Sequence, residues 1–388
     1  MNVPKIRFSE FTSEYKKYKF KDVATLYRGS SPRPIINFIT KSDDGVNWIK
    51  IGDVNENDTY INKTSEKITV EGSKKSRKVY KNDIILSNSM SFGRPYILNI
   101  DGCIHDGWFV VRDYNEKLVQ KYLYHFMSSP VIQKQYKKLS AGGVVSNISS
   151  DLVYSVDINI PSKEEQIKVS NFLSLIDKKI ELQSKKIEDL KLFKKGLFDK
   201  LFNEVDGNNY LLSDIASFEN GKGHENIIDD NGNYILINSK FISTEGDIIK
   251  RCSKQLTPLF KNDITMVMSD LPNGKALAKC YYIEEDNKYS LNQRICKIHT
   301  KNNTIVNSKY LFYLLNRNPY YLKFDDGVNQ TNLKKDDVLN INLNIPSIDI
   351  QDKNSNILTT IDTLINKESI RLSKLETLKK GLMQNMFV

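Results

Sequence analysis

At 388 residues, with 39% hydrophobic side chains, the chain is long enough and apolar enough for two domains of ordinary size. It contains no apolar run of about 18 residues and no apolar stretch after Met1, which argues against a membrane protein and against a signal peptide. Its four cysteines lack C-x-x-C spacing, which argues against a zinc site and a disulfide framework and is typical of a cytoplasmic protein.

The net charge of +10 is distributed unevenly along the chain. Residues 1–203 carry 34 Lys and Arg against 24 Asp and Glu, whereas residues 204–388 carry 23 of each. A basic chain of this size favours a polyanionic partner, and nucleic acid is the first candidate. The alternative explanation is a bias of the genome toward Lys, Asn and Ile codons.

The first globular part, residues 20–155, is predicted to mix short strands with helices. Strand-like segments rich in β-branched and aromatic residues occur at residues 48–51, 83–86 and 108–111, and turn residues separate them. We predict one helix over residues 119–138.

A long helix is predicted to begin at Ser162. Ser162 and Glu165 have the spacing of a capping box, and neither Pro nor Gly follows before Gly196. A polar break at residues 203–209 marks the boundary with the next globular part. Steps of four and three residues connect mostly apolar positions, which is the pattern of a coiled-coil seam. These positions are Val169, Leu173, Ile176, Ile180, Gln183, Ile187, Leu190, Lys194, Leu197 and Leu201.

The rest of the chain repeats this organisation. A second globular part covers residues 210–342 and includes a helix predicted over residues 309–321. Residues 141–202 then align with residues 326–387 at a constant offset of 185 without a gap. The second helix lacks the capping box, because Ile350 replaces the glutamate. Its seam positions are Asn354, Leu358, Ile361, Ile365, Glu368, Leu372, Leu375, Lys379, Leu382 and Met386.

The duplication predicts an approximate two-fold axis and an antiparallel helix pair. Upstream of the helices the repeat is fainter, but Gly29 still matches Gly221. Gln183 and Glu368 occupy equivalent positions near the helix midpoints, so we expect the amide to donate to the carboxylate and fix the register. The alternative is two unrelated surface residues on a frayed seam. Duplex DNA is the commonest two-fold ligand for such a molecule.

These patterns predict a mixed α/β fold with two globular domains separated by two long antiparallel coiled-coil helices. We place the first domain at residues 1–160 and its helix at residues 161–203. The second domain then covers residues 204–345, and its helix covers residues 346–388.

A catalytic or metal site is not predicted. Residues 318–321, Asn-Pro-Tyr-Tyr, resemble the Asn-Pro-Pro-Tyr loop of adenine methyltransferases but lack the second proline, and a helix-ending turn explains them better. The four histidines form no ligand pair, and no glycine-rich segment has Walker spacing. We favour a two-site DNA-recognition scaffold. A nuclease or methyltransferase with a hidden site and a coiled-coil protein that never binds DNA are the alternatives.

Candidate DNA-binding residues are arginines and amides, which hydrogen-bond base edges, and lysines and hydroxyls, which bind phosphates. Residues 28–33 form a basic, turn-rich loop. A solvated loop is an equal alternative for residues 74–78, as is a polar strand face for residues 292–294. The complete set is Arg28, Ser31, Arg33, Lys74, Lys75, Arg77, Lys78, Ser89, Arg94, His105, Lys222, His224, Lys275, Asn292, Gln293, Arg294, Gln330 and Asn332.

The order of domain, Asn-Ile-Pro-Ser, long helix and Lys-Lys-Gly-Leu, present twice, resembles the DNA-specificity subunit of type I restriction–modification systems. Residues 49–53, 87–95, 105–108, 221–224 and 292–294 contribute to the resemblance.

The resemblance implies a subunit without catalytic activity that binds no cofactor itself. Each of its target-recognition domains would read one half of a split, asymmetric duplex DNA target. Its helices would set the gap and dock two methyltransferase subunits, which use S-adenosylmethionine to methylate adenine N6. Restriction subunits that use ATP and Mg would then join.

Overall fold

The computed structural model describes residues 3–55, 58–88, 93–140 and 147–388. The chain divides into two compact units, Met1–Lys186 with Glu368–Val388, and Ile187–Lys367. The unit boundaries fall inside the long helices, so each unit contains one globular part and a segment of both helices.

The strands of the first unit are β1 Lys16–Lys19, β2 Thr25–Arg28, β3 Ile39–Thr40, β4 Val46–Ile49, β5 Tyr60–Ile61, β6 Glu66–Ile68, β7 Arg77–Val79, β8 Ile84–Ser87, β9 Pro95–Leu98, β10 Gly102–Ile104, β11 Trp108–Arg112 and β12 Asp157–Ile160. They form two five-stranded sheets, with strand orders β2-β11-β8-β9-β5 and β3-β6-β4-β10-β7. A separate pair, β1 and β12, leads into the first long helix. The helices are α1 Val70–Lys74, α2 Gln120–Ser128, α3 Pro130–Ser140, α4 Ser150–Tyr154 and α5 Lys163–Phe198, which continues into the second unit.

The second unit repeats this plan in shorter form, with sheets β14-β21-β17-β19 and β16-β15-β20 and the pairs β13-β23 and β18-β22. Strands β4 and β10 are parallel in the first unit, as are β15 and β20 in the second. The strands are β13 Asn208–Leu211, β14 Ala216–Asn220, β15 Tyr234–Ile237, β16 Arg251–Cys252, β17 Ile264–Val267, β18 Ser269–Asp270, β19 Cys280–Tyr282, β20 Tyr289–Leu291, β21 Ile295–Thr300, β22 Thr331–Asn332 and β23 Asn342–Ile345. The helices are α6 Leu212–Ile215, α7 Ser239–Ser243, α8 Ser308–Leu315, α9 Pro319–Leu322, α10 Lys335–Leu339 and α11 Ile348–Met386, whose last part belongs to the first unit.

The prediction of one helix over residues 119–138 is wrong. Ser129 has extended backbone angles and separates α2 from α3. The cause is Pro130, because the residue before a proline is disfavoured in the α conformation. The second predicted helix is interrupted earlier: α8 ends at Leu315, Asn316 is extended and Arg317 has a positive φ, before Asn318 caps the helix that starts at Pro319.

The two long helices run antiparallel in both units. In the first unit Asp177 pairs with Lys379 at 2.6 Å, and Gln183 Nε2 donates to Glu368 Oε2 at 2.6 Å. Lys186 also pairs with Glu368, and the hydrogen bonds from Lys186 and Gln183 lower the pKa of this buried carboxyl group. In the second unit Lys194 pairs with Asp362. The seam residues named from the sequence are all buried or half-buried.

A phenylalanine that follows the end of each long helix enters a globular core. Phe387 lies 5.4 Å from the Tyr122 ring in the first unit, and Phe202 stacks on Tyr310 at 4.5 Å in the second. Phe202 and Phe387 are equivalent at the offset of 185. The helix segments are therefore integral parts of the two cores.

A residue from each globular part also contacts the helix pair. In the first unit His125 Nε2 lies 3.2 Å from Ser174 Oγ, and its Nδ1 lies 3.8 Å from Asp177. In the second unit the corresponding Tyr313 hydroxyl donates to Asp362 at 2.8 Å. Asp177 and Asp362 each also form an ion pair with a lysine of the opposite helix. In each unit, polar contacts therefore connect the globular part to both long helices.

We expect His125 to make the first unit sensitive to acid. Burial, with Lys379 and Lys121 nearby, lowers the pKa of His125 from 6.5 to about 3. Because the pKa of His125 is lower in the folded state than in the unfolded state, its contribution to stability is fully present above pH 6.5. This contribution is lost as the pH falls toward 3. Between pH 7 and pH 5 the free energy of unfolding should therefore fall by about 2 kcal/mol more than in His125→Phe.

Urea unfolding of the full chain at both pH values measures this difference. Tyr313→Phe is the matched control, because it alters the equivalent contact without removing a group that titrates in this range. An equal loss of stability in the wild type and in His125→Phe would contradict the prediction.

Candidate nucleic-acid interface

Two loops of the first unit meet beside strands β2 and β11. The Gly29 amide donates to the Trp108 carbonyl at 2.8 Å, and the Ser30 amide donates to the Ile104 carbonyl at 3.2 Å. A Cβ atom at Gly29 would lie 2.0 Å from the His105 carbonyl oxygen. Only glycine permits this approach, which places the basic loop at residues 28–33 against the loop between β10 and β11.

Asp106 organises the side chains of these two loops. Its Oδ1 accepts from Ser31 Oγ at 2.9 Å and lies 2.8 Å from His105 Nε2, and Oδ2 accepts from Arg33 at 3.4 Å. The Gly107 amide donates to His105 Nδ1 at 2.9 Å, which assigns the proton of the neutral imidazole to Nε2. Burial raises the pKa of Asp106, but Ser31, His105 and Arg33 outweigh it and leave the pKa below its usual value.

The basic run at residues 74–78 lies beside the same loop. Ser76 Oγ donates to the Ser30 carbonyl at 2.6 Å, and Arg77 Nε donates to the Arg28 carbonyl at 3.2 Å. Arg28, Lys74, Lys75, Arg77 and Lys78 are all exposed.

A third loop, between β8 and β9, adjoins the first two. The Asn88 amide donates to the Gly107 carbonyl at 2.9 Å, and the Ile148 amide donates to the Asn88 carbonyl at 2.8 Å. Arg94 is half-buried in this loop, and its amide donates to Ser87 Oγ. Ser89 lies outside the described residues.

The second unit forms the same backbone arrangement. A Cβ atom at Gly221 would lie 2.0 Å from the Asn292 carbonyl oxygen. The Met268 amide donates to the Arg294 carbonyl at 3.0 Å, and the Leu333 amide donates to the Met268 carbonyl at 2.8 Å. These bonds correspond one to one with those of Asn88 and Ile148 in the first unit. The candidate residues of both units therefore gather on equivalent sets of loops.

Side chains on the second set differ from those on the first. Lys222, Gln293 and Arg294 are exposed, and Gln293 Nε2 donates to Glu225 Oε1. Asn292 is half-buried. Lys275, Gln330 and Asn332 are exposed on the neighbouring loops, where Gln330 Nε2 donates to Ser269 Oγ at 2.7 Å.

His224 does not belong to the exposed surface. It is 1% exposed, and its two ring nitrogens lie 2.7 Å from the Lys222 carbonyl and from Ser290 Oγ. Ser290 is 66 residues away in the sequence, so the lone histidine gave no sign of this partner. We therefore correct the assignment of His224 from a DNA-binding residue to a buried support of its loop.

Asp106 and Glu225 were not among the residues predicted from the sequence, because basic and amide side chains are the usual contacts to DNA. The match between Gly29 and Gly221 was the available signal, because Glu225 follows Gly221 and Asp106 lies on the loop that Gly29 contacts. In the part of the chain that the structure describes, no three His, Cys, Asp or Glu side chains cluster as they would around a metal ion. No described helix is both long and apolar enough to cross a membrane.

Two similar units, each presenting exposed Arg, Lys and amide groups on equivalent loops, define a duplicated binding protein of the kind that recognises nucleic acid. The chain belongs to the family described as type I restriction modification DNA specificity domain, which matches it twice, over residues 12–192 and 204–377.

Among curated relatives, the chain is similar to the type I restriction enzyme MjaIX specificity subunit of Methanocaldococcus jannaschii. The two are 26% identical over 215 residues, which cover 53% of this chain and 49% of the relative. The HindI specificity subunit of Haemophilus influenzae is 27% identical over 216 residues, covering 53% and 45%. The chain thus spans about half the length of these two relatives. The MjaVIII specificity subunit of M. jannaschii is 23% identical over 335 residues, covering 79% and 78%.

Two solved structures share the fold. The S subunit of a type I restriction–modification system from M. genitalium superposes with a TM-score of 0.63 at 17% identity, over 100% of this chain and 99% of its own. A chain from a study of complex assembly and conformational transition in the type I R-M system gives a TM-score of 0.59 at 15% identity, over 96% and 97%. The predicted mixed α/β fold with two recognition domains and long antiparallel helices is confirmed.

Proposed function

We propose that this chain is the DNA-specificity subunit of a type I restriction–modification complex. Each of its two target-recognition domains reads one half of a bipartite, asymmetric duplex target. The observation that supports this most is the pair of equivalent loop sets, in which the backbone contacts are the same but the exposed side chains differ. Equal scaffolds with different side chains suit two different half-sites.

The long helices set the gap between the half-sites and dock two methyltransferase subunits. Large apolar side chains that lie outside the seam support a docking role, since exposed apolar surface commonly marks an interface. They are Ile167, Phe172, Leu175, Leu182, Ile370 and Leu378 in the first unit and Leu192, Phe193, Ile350 and Leu364 in the second.

The chain itself catalyses nothing in this proposal. S-adenosylmethionine binds to the methyltransferase subunits, which methylate adenine N6. ATP and Mg bind to the restriction subunits that join the complex. The Asn-Pro-Tyr-Tyr segment at residues 318–321 supports a non-catalytic role for this chain. Asn318 caps α9, and its side chain accepts from the Tyr320 amide, so it serves the local fold.

The test is to map methylated adenines on a random duplex library. The chain is used alone and with a methyltransferase subunit of the same system. We expect no methyl transfer by the chain alone and methylation at one two-part motif when the partner is added. A four-residue insertion in α5, near 6 Å of helix, should lengthen the gap by about one or two base pairs and leave both half-sites unchanged.

An insertion of equal length in the turn at residues 43–45 is the control and should leave the motif and its gap unchanged. Methyl transfer by the chain alone would contradict the proposal. An unchanged gap in an active complex with the lengthened helix would show that the helices do not set the spacing.

A further inference from the structure

One carboxylate in each unit connects the two loops that meet at Gly29 or Gly221. In the first unit the carboxylate is Asp106, on the loop between β10 and β11, and its partners Ser31 and Arg33 lie on the loop after β2. In the second unit the positions are exchanged. Glu225 follows Gly221, and its partner Gln293 lies on the loop between β20 and β21. In both units a carboxylate on one loop therefore binds side chains of the other loop, although the two carboxylates lie at positions that are not equivalent.

Asp106 retains capacity to accept another hydrogen bond. Ser31 Oγ donates to Oδ1 and His105 Nε2 lies 2.8 Å from it, whereas Oδ2 accepts one side-chain hydrogen bond among the described residues, from the Arg33 guanidinium at 3.4 Å. A carboxylate has about four acceptor positions, so Oδ2 is under-used. The Asp106 side chain is 34% exposed and the Arg33 side chain 82% exposed. A ligand in contact with Arg33 would therefore come within reach of Oδ2.

Glu225 has the same property in the second unit. Its Oε1 accepts from Gln293, and Oε2 makes no hydrogen bond to a described side chain. The Glu225 side chain is exposed, and Oε2 lies over Gly223, where a Cβ atom would be 2.5 Å away. The absence of a side chain at Gly223 leaves room for the carboxylate in this position.

A carboxylate among phosphate-binding groups affects the affinity for DNA in two opposite ways. It repels the phosphate backbone, which weakens binding to any duplex irrespective of sequence. It also accepts from the exocyclic amino group of a base in the major groove, of which cytosine N4 is the usual partner of Asp and Glu. Only duplexes with an amino group at the right position compensate the repulsion.

We propose that Asp106 and Glu225 are specificity-determining residues, each accepting a hydrogen bond from the exocyclic amino group of a base in its own half of the target. Until DNA binds, the two carboxylates occupy the donors of Ser31 and Gln293. This inference rests on the proposed function, because it requires that the loops of each unit contact base edges.

The test compares Asp106→Asn and Glu225→Gln with the wild-type chain, each in complex with its methyltransferase subunits. Sequences are selected from randomised duplexes, and affinities for selected and unrelated duplexes are measured at several salt concentrations. Each variant should lose discrimination by about tenfold at one position of one half-site. Binding to unrelated DNA should become tighter, with a salt dependence steeper by about one charge.

Glu116→Gln is the matched control, since it removes an exposed carboxylate from the loop between β11 and α2 of the first unit. It should change neither discrimination nor the salt dependence. Thermal unfolding shows whether each variant is folded. If Asp106→Asn does not fold, Glu225→Gln at an exposed position still tests the inference.

The outcomes separate the two proposals. If both variants keep full discrimination while Arg33→Ala loses it, the carboxylates do not read bases, and the proposed function stands. A uniform loss of affinity with unchanged base preferences would also overturn the inference, because it would assign the carboxylates a purely structural role. If the wild-type complex selects no sequence, the proposed function itself fails.

Discussion

Substitution of Gly29 by alanine should abolish recognition of one half of the target while the other half is still read. The new Cβ atom would lie 2.0 Å from the His105 carbonyl oxygen, so the backbone of one loop must move. Arg28, Ser31 and Arg33 would move with it. Loss of two or more base contacts at about 1–3 kcal/mol each corresponds to roughly a thirtyfold or greater loss of affinity.

Gly221→Ala should have the same effect on the other half-site, because its Cβ atom would lie 2.0 Å from the Asn292 carbonyl oxygen. The control is Gly52→Ala in the first unit, where no described atom outside the neighbouring residues of the chain lies within 4 Å of the added Cβ. The measurement is the affinity of each variant for duplexes in which only one half-site of the target has been altered. It shows which half-site each variant still recognises. Full discrimination of both halves by Gly29→Ala would contradict the assignment of this loop to DNA.

The repeat and the long helices were predictable because their signals are local and periodic. The seam positions recur every three or four residues, and the offset of 185 contains no gap. The same pattern placed Gln183 and Glu368 at equivalent positions, and the structure joins them by a hydrogen bond of 2.6 Å. A periodic helix needs no knowledge of distant partners to be recognised.

Features that depend on distant partners were missed. Ser162 accepts from the Glu165 amide as a capping residue should. The Glu165 carboxylate, however, binds Arg7 and Tyr15, about 150 residues earlier in the chain, and does not complete the capping box. Nothing near Glu165 in the sequence indicates these partners.

The candidate interface was predicted only in part from the sequence. Arg28, Arg33 and the run at residues 74–78 were identified from residue type alone. Their proximity depends on the pairing of β2 with β11 and on the contact at Gly29, which only the fold reveals. His224 has the right residue type but is buried against Ser290, and Asp106 was overlooked because an acidic residue is unexpected on a surface that binds DNA.

Exchange of residues 1–155 for the corresponding domain of another family member should change one half of the target completely. All described loops of the first interface, from Arg28 to Ile148, lie within this segment, whereas those of the second lie between Gly221 and Leu333. The exchange ends before β12 and α5, so the helices and the second interface keep their own sequence. The β1–β12 pairing joins backbone groups and therefore tolerates a different β1 sequence.

The central claim is that two independent domains read the two halves of one DNA target. It is tested most directly by sequencing methylated adenines in cells that carry either the original or the exchanged chain, with the same methyltransferase subunits. We predict a two-part motif in both strains, with one half replaced and the other half identical. Replacement of both halves, or of neither, in an active complex would contradict independent recognition by the two domains.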